Sequence, residues 1–265
     1  MSIYFSSTLM WNKSLDEIMK KAYLEGFQGI ELWMQQVEYK KYSVNECKQA
    51  LKKNPIDITI HAYSWDLNLS SLNEGIRKAS INEILKSIDY AHLIKAKDVT
   101  IHPGRKTIFG FEDNNKELLY KSLKEISDYA KEKNIIISLE IMEKVSKEFI
   151  TSDIELKECI KNLYEDFQYT LDVAHCTNEE EVFNYLNSVD RISKIHISNK
   201  IGNKLHTPLS IGDYDFQELL FKLEETNNPL VIEGIDYSDD LDILENNINF
   251  IKSIKGEISC QKKAN

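Results

Sequence analysis

The sequence predicts an α/β protein of the (β/α)8 barrel class, with one domain over residues 1–258 and a polar C-terminal tail over 259–265 that frays. Three observations predict it. Eight short β-branched, apolar runs alternate with longer stretches of helical period, which is the rhythm of a parallel barrel. A chain of 265 residues with only 9 glycines and 4 prolines has room for one large core and little room for linkers. No glycine-rich turn follows the first run, which argues against an open, doubly wound sheet.

The elements follow in order. "IYFSS" (3–7) is the first strand, and "SLDEIMKKAYLEG" (14–26) the first helix, with Ser14 and Glu17 at capping-box spacing. "GIELW" (29–33) is the second strand, and a second capping box, Ser43 to Glu46, starts the helix after it. "DITIH" (57–61) precedes the helix "GIRKASINEILKSIDYAHLIKA" (75–96). "DVTIH" (98–102) runs straight into Pro-Gly, which stops a strand, and "NKELLYKSLKEISDYAKEKN" (115–134) is the helix after it. "IIISLE" (135–140), "QYTLD" (168–172) and "ISKIHI" (192–197) are strands five to seven. "IGDYDF" turns the chain into the helix "DFQELLFKLEET" (215–226), where Asp215 caps and Glu218 stands three residues on. "PLVIE" (229–233) closes the set.

Charge and cysteine content narrow the function. The formal net charge is -10 and the only arginines are Arg77, Arg105 and Arg191, which disfavours a broad face for a phosphate backbone. Cys47, Cys159, Cys176 and Cys260 are far apart, so neither a disulfide framework nor a zinc ribbon is expected. The start "MSIYFSSTLM" lacks a basic leader, and no run reaches the roughly 20 apolar residues of a membrane helix. A soluble, cytoplasmic protein with no membrane partner is the expectation; a homo-oligomer is compatible with it.

In a barrel the C-terminal strand ends converge on one face, where active sites sit. That face receives His61, His102, Glu140, Asp172 with His175 three residues on, His196 and Glu233, with His206 in the loop after strand seven. Five of the six histidines lie there; His92, inside the third helix, is given an ordinary packing or surface role. Imidazoles and carboxylates crowded at one rim are poorly solvated without a cation, and together they form the ligand set of a divalent metal.

The stretches "HAYSWDLNLSS", "RKASINEILKSIDYAHLIKAKDVTIHPG", "SLE", "LDVAHC", "KIHISN" and "VIEG" resemble the xylose isomerase-like TIM-barrel superfamily, which includes sugar-phosphate isomerases and epimerases and the apurinic endonuclease IV family. The resemblance implies that Glu140, Asp172, His196 and Glu233 hold the common metal (Mn, Co, Mg or Zn). It also implies that His61 and His102 resemble ligands of a further metal bridged by Glu140, and His175 and His206 ligands of a third. The endonuclease branch completes that third site with an Asp two residues before the last His. Here the position is Lys204, and a charged ammonium offers no lone pair.

Two activities follow from the resemblance. One is a sugar or sugar-phosphate isomerase or epimerase, acting by proton transfer through a metal-bound enediolate with Glu140 and Glu233 as base and acid. The alternative is an endonuclease IV-like phosphodiesterase acting on abasic DNA or another phosphoester, for which His61 and His102 are indispensable. Lys204, the acidic balance and a second strand–helix loop without an arginine wedge favour the first. A metal-bound barrel that only senses a small ligand is a third reading. Trp11, Trp33, Tyr63, Trp65, Phe109, Phe111 and Tyr237 follow strand ends and are expected to wall the mouth, with Trp33, Tyr63 and Trp65 against substrate. Arg105, Lys106, Lys200 and Lys204 are candidates to neutralise an anionic substrate group, Arg105 and Lys204 first among them. Glu31 is read as ending strand two and anchoring a substrate hydroxyl or a ligand, Glu143 as too far past Glu140 to share its direction, and Cys176 as a small hydrophobe rather than a nucleophile.

Overall fold

A computed structural model of the protein describes residues 1–264, with side chains for residues 1–254. Eight parallel strands close into a barrel: β1 (Ile3–Ser6), β2 (Gly29–Trp33), β3 (Asp57–His61), β4 (Asp98–Ile101), β5 (Ile136–Ile141), β6 (Gln168–Asp172), β7 (Ile192–Ile197) and, last in the chain, β10 (Leu230–Ile232). β10 pairs with both β7 and β1, which seals the cylinder and leaves no edge strand. All eight predicted runs are barrel strands, so the α/β fold class stands.

The helices α1 (Leu15–Glu25), α2 (Met34–Lys40), α3 (Val44–Lys53), α4 (Glu74–Ile94), α5 (Glu112–Lys133), α6 (Asp153–Ile160), α7 (Glu179–Ser188), α8 (Phe216–Glu224) and α9 (Asp242–Ala264) lie between and after them. Ser14 and Ser43 both form complete capping boxes with Glu17 and Glu46. Asp215 caps α8 by accepting from the backbone N–H groups of Gln217 and Glu218. The helices bury apolar stripes: Ile18, Met19 and Ala22 of α1, Ile84 and Ile88 of α4, and Leu219, Leu220 and Leu223 of α8 are fully or almost fully buried. The expected tail, 259–265, falls on residues whose side chains lie outside the description, and Asn265 lies outside it altogether. Among the described residues no helix is long and apolar enough to cross a membrane.

Two stretches depart from the sequence reading, and the first is the expected second strand–helix loop, most of which is the short helix α2 (Met34–Lys40). The second, expected as a loop after the seventh strand, contains an antiparallel hairpin, β8 (Asn199–Ile201) and β9 (Lys204–Thr207). Its strands are too short to show an alternating pattern, and Gly202 makes the turn at φ +56°. At the end of β4, Gly104 passes so close to Ser70 that a Cβ would stand 2.4 Å from the Ser70 nitrogen. The Pro-Gly after His102 therefore brings two loops into contact as well as ending a strand.

Candidate metal centre at the mouth of the barrel

Alternate residues of a strand share a face, so the inward-facing residues near the strand ends share one small volume. His61 is the last residue of β3 and Asp172 the last of β6; Glu140 and His196 are each one residue short of the ends of β5 and β7. His102 and Glu233 stand one residue beyond β4 and β10. His175 closes a short 3-10 turn after β6, and His206 sits in β9 with a left-handed φ of +59°.

These residues gather into three groups whose donor atoms lie within 4.8 Å of one another: Glu140, Asp172, His196 and Glu233; His61, His102 and Glu140; and Asp172, His175 and His206. The groups share Glu140 and Asp172. His196 Nδ1 is 2.9 Å from Glu233 Oε2 and 3.9 Å from Glu140 Oε1. Glu140 Oε2 lies 3.1 Å from His102 Nε2 and 3.6 Å from His61 Nε2, while Glu140 Oε1 lies 3.6 Å from His175 Nδ1. Asp172 Oδ1 accepts from the Ala174 N–H at 2.7 Å, and its Oδ2 is 3.4 Å from His175 Nε2.

The donor atoms fit a divalent cation. His61 Nε2, Glu140 Oε2, Asp172 Oδ2, His196 Nδ1 and Glu233 Oε2 are buried and make no hydrogen bond, although carboxylate and imidazole face each other at short range. Buried polar atoms are rarely left so, and a metal with nitrogen and oxygen ligands satisfies them together. Outer contacts aim the rings: His61 Nδ1 faces the Ala62 carbonyl at 3.0 Å and its ring stacks on Trp33 with centroids 3.8 Å apart. His175 Nδ1 faces the Ile141 carbonyl, and His206 Nδ1 the Ser198 hydroxyl, each at 3.0 Å.

The electrostatics are those of a metal-free ligand cluster. Burial opposes ionisation of Glu233, yet the imidazoles of His196 and His206 hold it down to about 2. Glu140 is likewise held well below the usual range by His102 and its neighbours against a large burial penalty. Burial favours a neutral His175, but Asp172 and Glu140 outweigh it and push the ring up to about 9. Asp172 is raised to about 6, chiefly by burial.

A cavity of about 430 Å³ opens above this cluster. Trp33, Trp65, His102, His175 and His206 line it, together with Arg105, Lys147, Glu143 and Glu148. Tyr63 borders a smaller adjoining space of about 50 Å³ beside His102 and Arg105. Trp11 is buried behind Trp65, stacked on it at 5.6 Å, and Tyr237 meets Trp11 edge-on. Phe109 and Phe111 are exposed and do not line the cavity. A larger cavity of about 580 Å³ opens between α7 and α8, and none of the ligand groups reaches it.

The candidate cations separate. Arg105 borders the cavity, whereas Lys204 is exposed on β9, outside the lining. Lys200 turns inward to the carbonyl of Cys176 and the ring of Tyr214, and Lys106 lies over Phe149. His92 is an exposed residue of α4 facing the Lys133 carbonyl, and Cys176 is buried, which pushes its thiol pKa upward. Like Lys204, Phe109 and Phe111, two carboxylates depart from the sequence reading. Glu31 lies mid-strand in β2, turned into the barrel, with Oε2 2.8 Å from His196 Nε2. Glu143 does reach the site, its Oε2 3.8 Å from His175 Nε2.

Sequence reasoning missed Lys194, Asp98 and Glu148, all buried. For Lys194 a signal existed: in "ISKIHI" it stands two residues before His196 and so shares its inward face. Glu148 had none, because it is brought to the cavity by an isolated bridge to Arg105 across two loops.

A family model described as a xylose isomerase-like TIM barrel matches residues 19–254. Among curated proteins, the uncharacterized protein MJ1188 of Methanocaldococcus jannaschii is 32% identical over 211 residues, spanning 75% of this chain and 77% of that protein. Among solved structures, a D-tagatose 3-epimerase-like protein superposes with a TM-score of 0.80 at 23% identity, over 97% of this chain and 100% of that one. A D-allulose 3-epimerase from Methylomonas sp., in complex with D-allulose, gives 0.76 at 17% identity, over 96% of each chain.

Proposed function

Because this chain belongs to the xylose isomerase-like TIM-barrel family, we propose that it is a divalent-metal-dependent isomerase or epimerase of a sugar or sugar phosphate. The observation that carries the reading is the pair Glu140 and Glu233. Each belongs to the four-residue ligand group and keeps a buried carboxylate oxygen without a hydrogen bond. The likeness of the fold to a D-tagatose 3-epimerase-like protein and to a D-allulose 3-epimerase supports it.

Glu140, Asp172, His196 and Glu233 would hold the cation, with Mn, Co, Mg and Zn the candidates. Once bound, it would supply Lewis-acid stabilisation of the negative charge that develops on adjacent oxygens of a ketose when a carbon-bound proton leaves. Glu140 and Glu233 come from strands separated by β6 and β7 in the barrel order, so the two carboxylates would approach a sugar seated over the group from different directions. Both are held ionised, so either is competent to take the carbon-bound proton. Returning it to the neighbouring carbon would give isomerisation, whereas epimerisation would need the other carboxylate, first protonated by a substrate hydroxyl or water, to deliver a proton to the opposite face. Trp33, Trp65 and Arg105 line the cavity, where the two rings would give a sugar an apolar wall and Arg105 would pair with a phosphate on the substrate.

The test is solvent exchange. Metal-loaded protein is incubated in deuterated water with a panel of ketoses and sugar phosphates, and carbon-bound deuterium is read by NMR. Glu140→Gln and Glu233→Gln should each lower exchange by about 10²–10⁴-fold while leaving the circular dichroism spectrum unchanged, because an amide does not carry the proton. Exchange at the wild-type rate in either folded variant removes that residue from the chemistry.

The second reading, a phosphodiesterase, is favoured by one observation: the two further ligand groups beside the first. Multi-metal sites of this kind suit in-line attack on phosphorus.

A further inference from the structure

Below the four-residue ligand group lies a polar layer that the proposed chemistry does not use. Glu31 of β2, Asp98 and Thr100 of β4, and Lys194 of β7 are all buried in the barrel wall or its interior. Lys194 Nζ is 3.0 Å from Glu31 Oε1 and 2.8 Å from Thr100 Oγ1, and it also contacts the Asp98 carboxylate. Thr100 Oγ1 in turn donates to Glu31 Oε1 at 2.8 Å. The other Glu31 oxygen, Oε2, faces His196 Nε2 at 2.8 Å.

Barrel interiors are ordinarily filled by branched apolar side chains, and removing an ammonium from water is costly until its partners offset it. A buried ion cluster is weak evidence for stability on its own. This one has a direction, however: it runs from Lys194 through Glu31 to the ring of a ligand histidine. A carboxylate beside the nitrogen that does not bind metal keeps the proton there and raises the basicity of the other nitrogen.

We propose that Lys194 is a positioning residue for the metal centre: with Thr100 it fixes the Glu31 carboxylate against His196 Nε2, which leaves His196 Nδ1 turned toward Glu140 and Glu233. Lys194 acts through Glu31 and does not touch the cation or the sugar. The inference rests on the metal reading above and extends it to a layer of the barrel with no ligand of its own.

The experiment measures metal affinity and metal spectrum, independently of turnover. Mn²⁺ affinity is determined by titration calorimetry, and the Co²⁺ absorption bands are recorded, for wild type, Lys194→Met, Glu31→Gln, Thr100→Val and the Lys194→Met/Glu31→Gln pair. Lys194→Met and Glu31→Gln should each bind Mn²⁺ about 10–100-fold more weakly and shift the Co²⁺ bands. Thr100→Val should show a smaller loss. The pair should lose no more than the worse single variant, since both act on one path. Should Lys194→Met fail to fold, the near-isosteric Glu31→Gln and Thr100→Val carry the test. Wild-type affinity and an unshifted spectrum in those folded variants, or fully additive losses in the pair, would overturn the proposal. A wild-type protein that binds neither metal would instead sink the metal reading itself.

Discussion

His175 concentrates the electrostatics of the site in one ring. Burial alone would keep it neutral, but Asp172, Glu140 and the Ile141 carbonyl raise it from 6.5 to about 9. A folded-state pKa above the unfolded value contributes stability that is complete below about 6.5 and is lost as pH rises through about 9. Glu233 has the opposite sign: lowered from 4.5 to about 2, it contributes stability above about 4.5 that is lost as pH falls through about 2. The chelated protein should therefore weaken in urea titrations between pH 7 and 9, and His175→Asn should flatten that part of the profile. An unchanged slope in the variant would show that His175 is not held protonated. Metal binding must displace such a proton, so apparent metal affinity should rise over the same interval if His175 is a ligand.

At the scale of the element, the β8–β9 hairpin is what brings His206 to the cluster. Asn199 ties it down: its amide donates to the carbonyls of Leu209 and Tyr214 and its oxygen accepts from the Lys200 and Tyr214 N–H groups. Lys200 and the Tyr214 hydroxyl both reach the Cys176 carbonyl, one residue past His175. The hairpin and the turn carrying His175 are thus one unit. Gly212 is packed against it, and an added Cβ would stand 2.2 Å from Asn199 Oδ1 and 2.5 Å from the Lys200 carbonyl. Gly212→Ala should cost about 1–3 kcal/mol in thermal or urea unfolding and lower metal occupancy at the His175–His206 group more than at the four-residue group. Unperturbed stability would mean that the loop shifts freely and that the hairpin does not set His206.

For the whole molecule, the four candidate ligands of the common group come from β5, β6, β7 and the end of β10, so a cation bound there would join half of the barrel wall. An unfolded chain has no such site, and binding becomes folding free energy. At 100 times its Kd, a metal stabilises by about 2.7 kcal/mol. For a domain of this size that is a rise in Tm of roughly 5–11 °C. Melting scans of chelated protein with Mn, Co, Mg or Zn added should show it, and absence of any shift would count against the centre. The metal count then ranks the two activities: about one Mn, Co or Mg per chain agrees with proton transfer, and two or more Zn with phosphoester hydrolysis. In the first case His61→Ala with His102→Ala leaves that one metal in place, whereas His196→Ala removes it.

The sequence by itself determined the barrel and most of its rim. Strand runs of three to six residues carry their own β-branched pattern and Ser14 and Ser43 their own caps, so these elements are local facts. A histidine or carboxylate closing such a run lands on the active face by topology alone, which is why His61, His102, Glu140, Asp172, His196 and Glu233 were legible. The tertiary structure decided what local pattern does not encode. It turned Glu31 of "GIELW" inward to His196, and it brought Lys194 on β7 against Asp98 and Thr100 on β4, strands not adjacent in the barrel. It folded Lys200 away onto Cys176, left Lys204 in solvent, and carried Glu148 to Arg105 across two loops. The physical reason is range: alternation and capping act over a few residues, whereas a buried charge finds its partner only when the barrel closes and removes water from the space between distant strands.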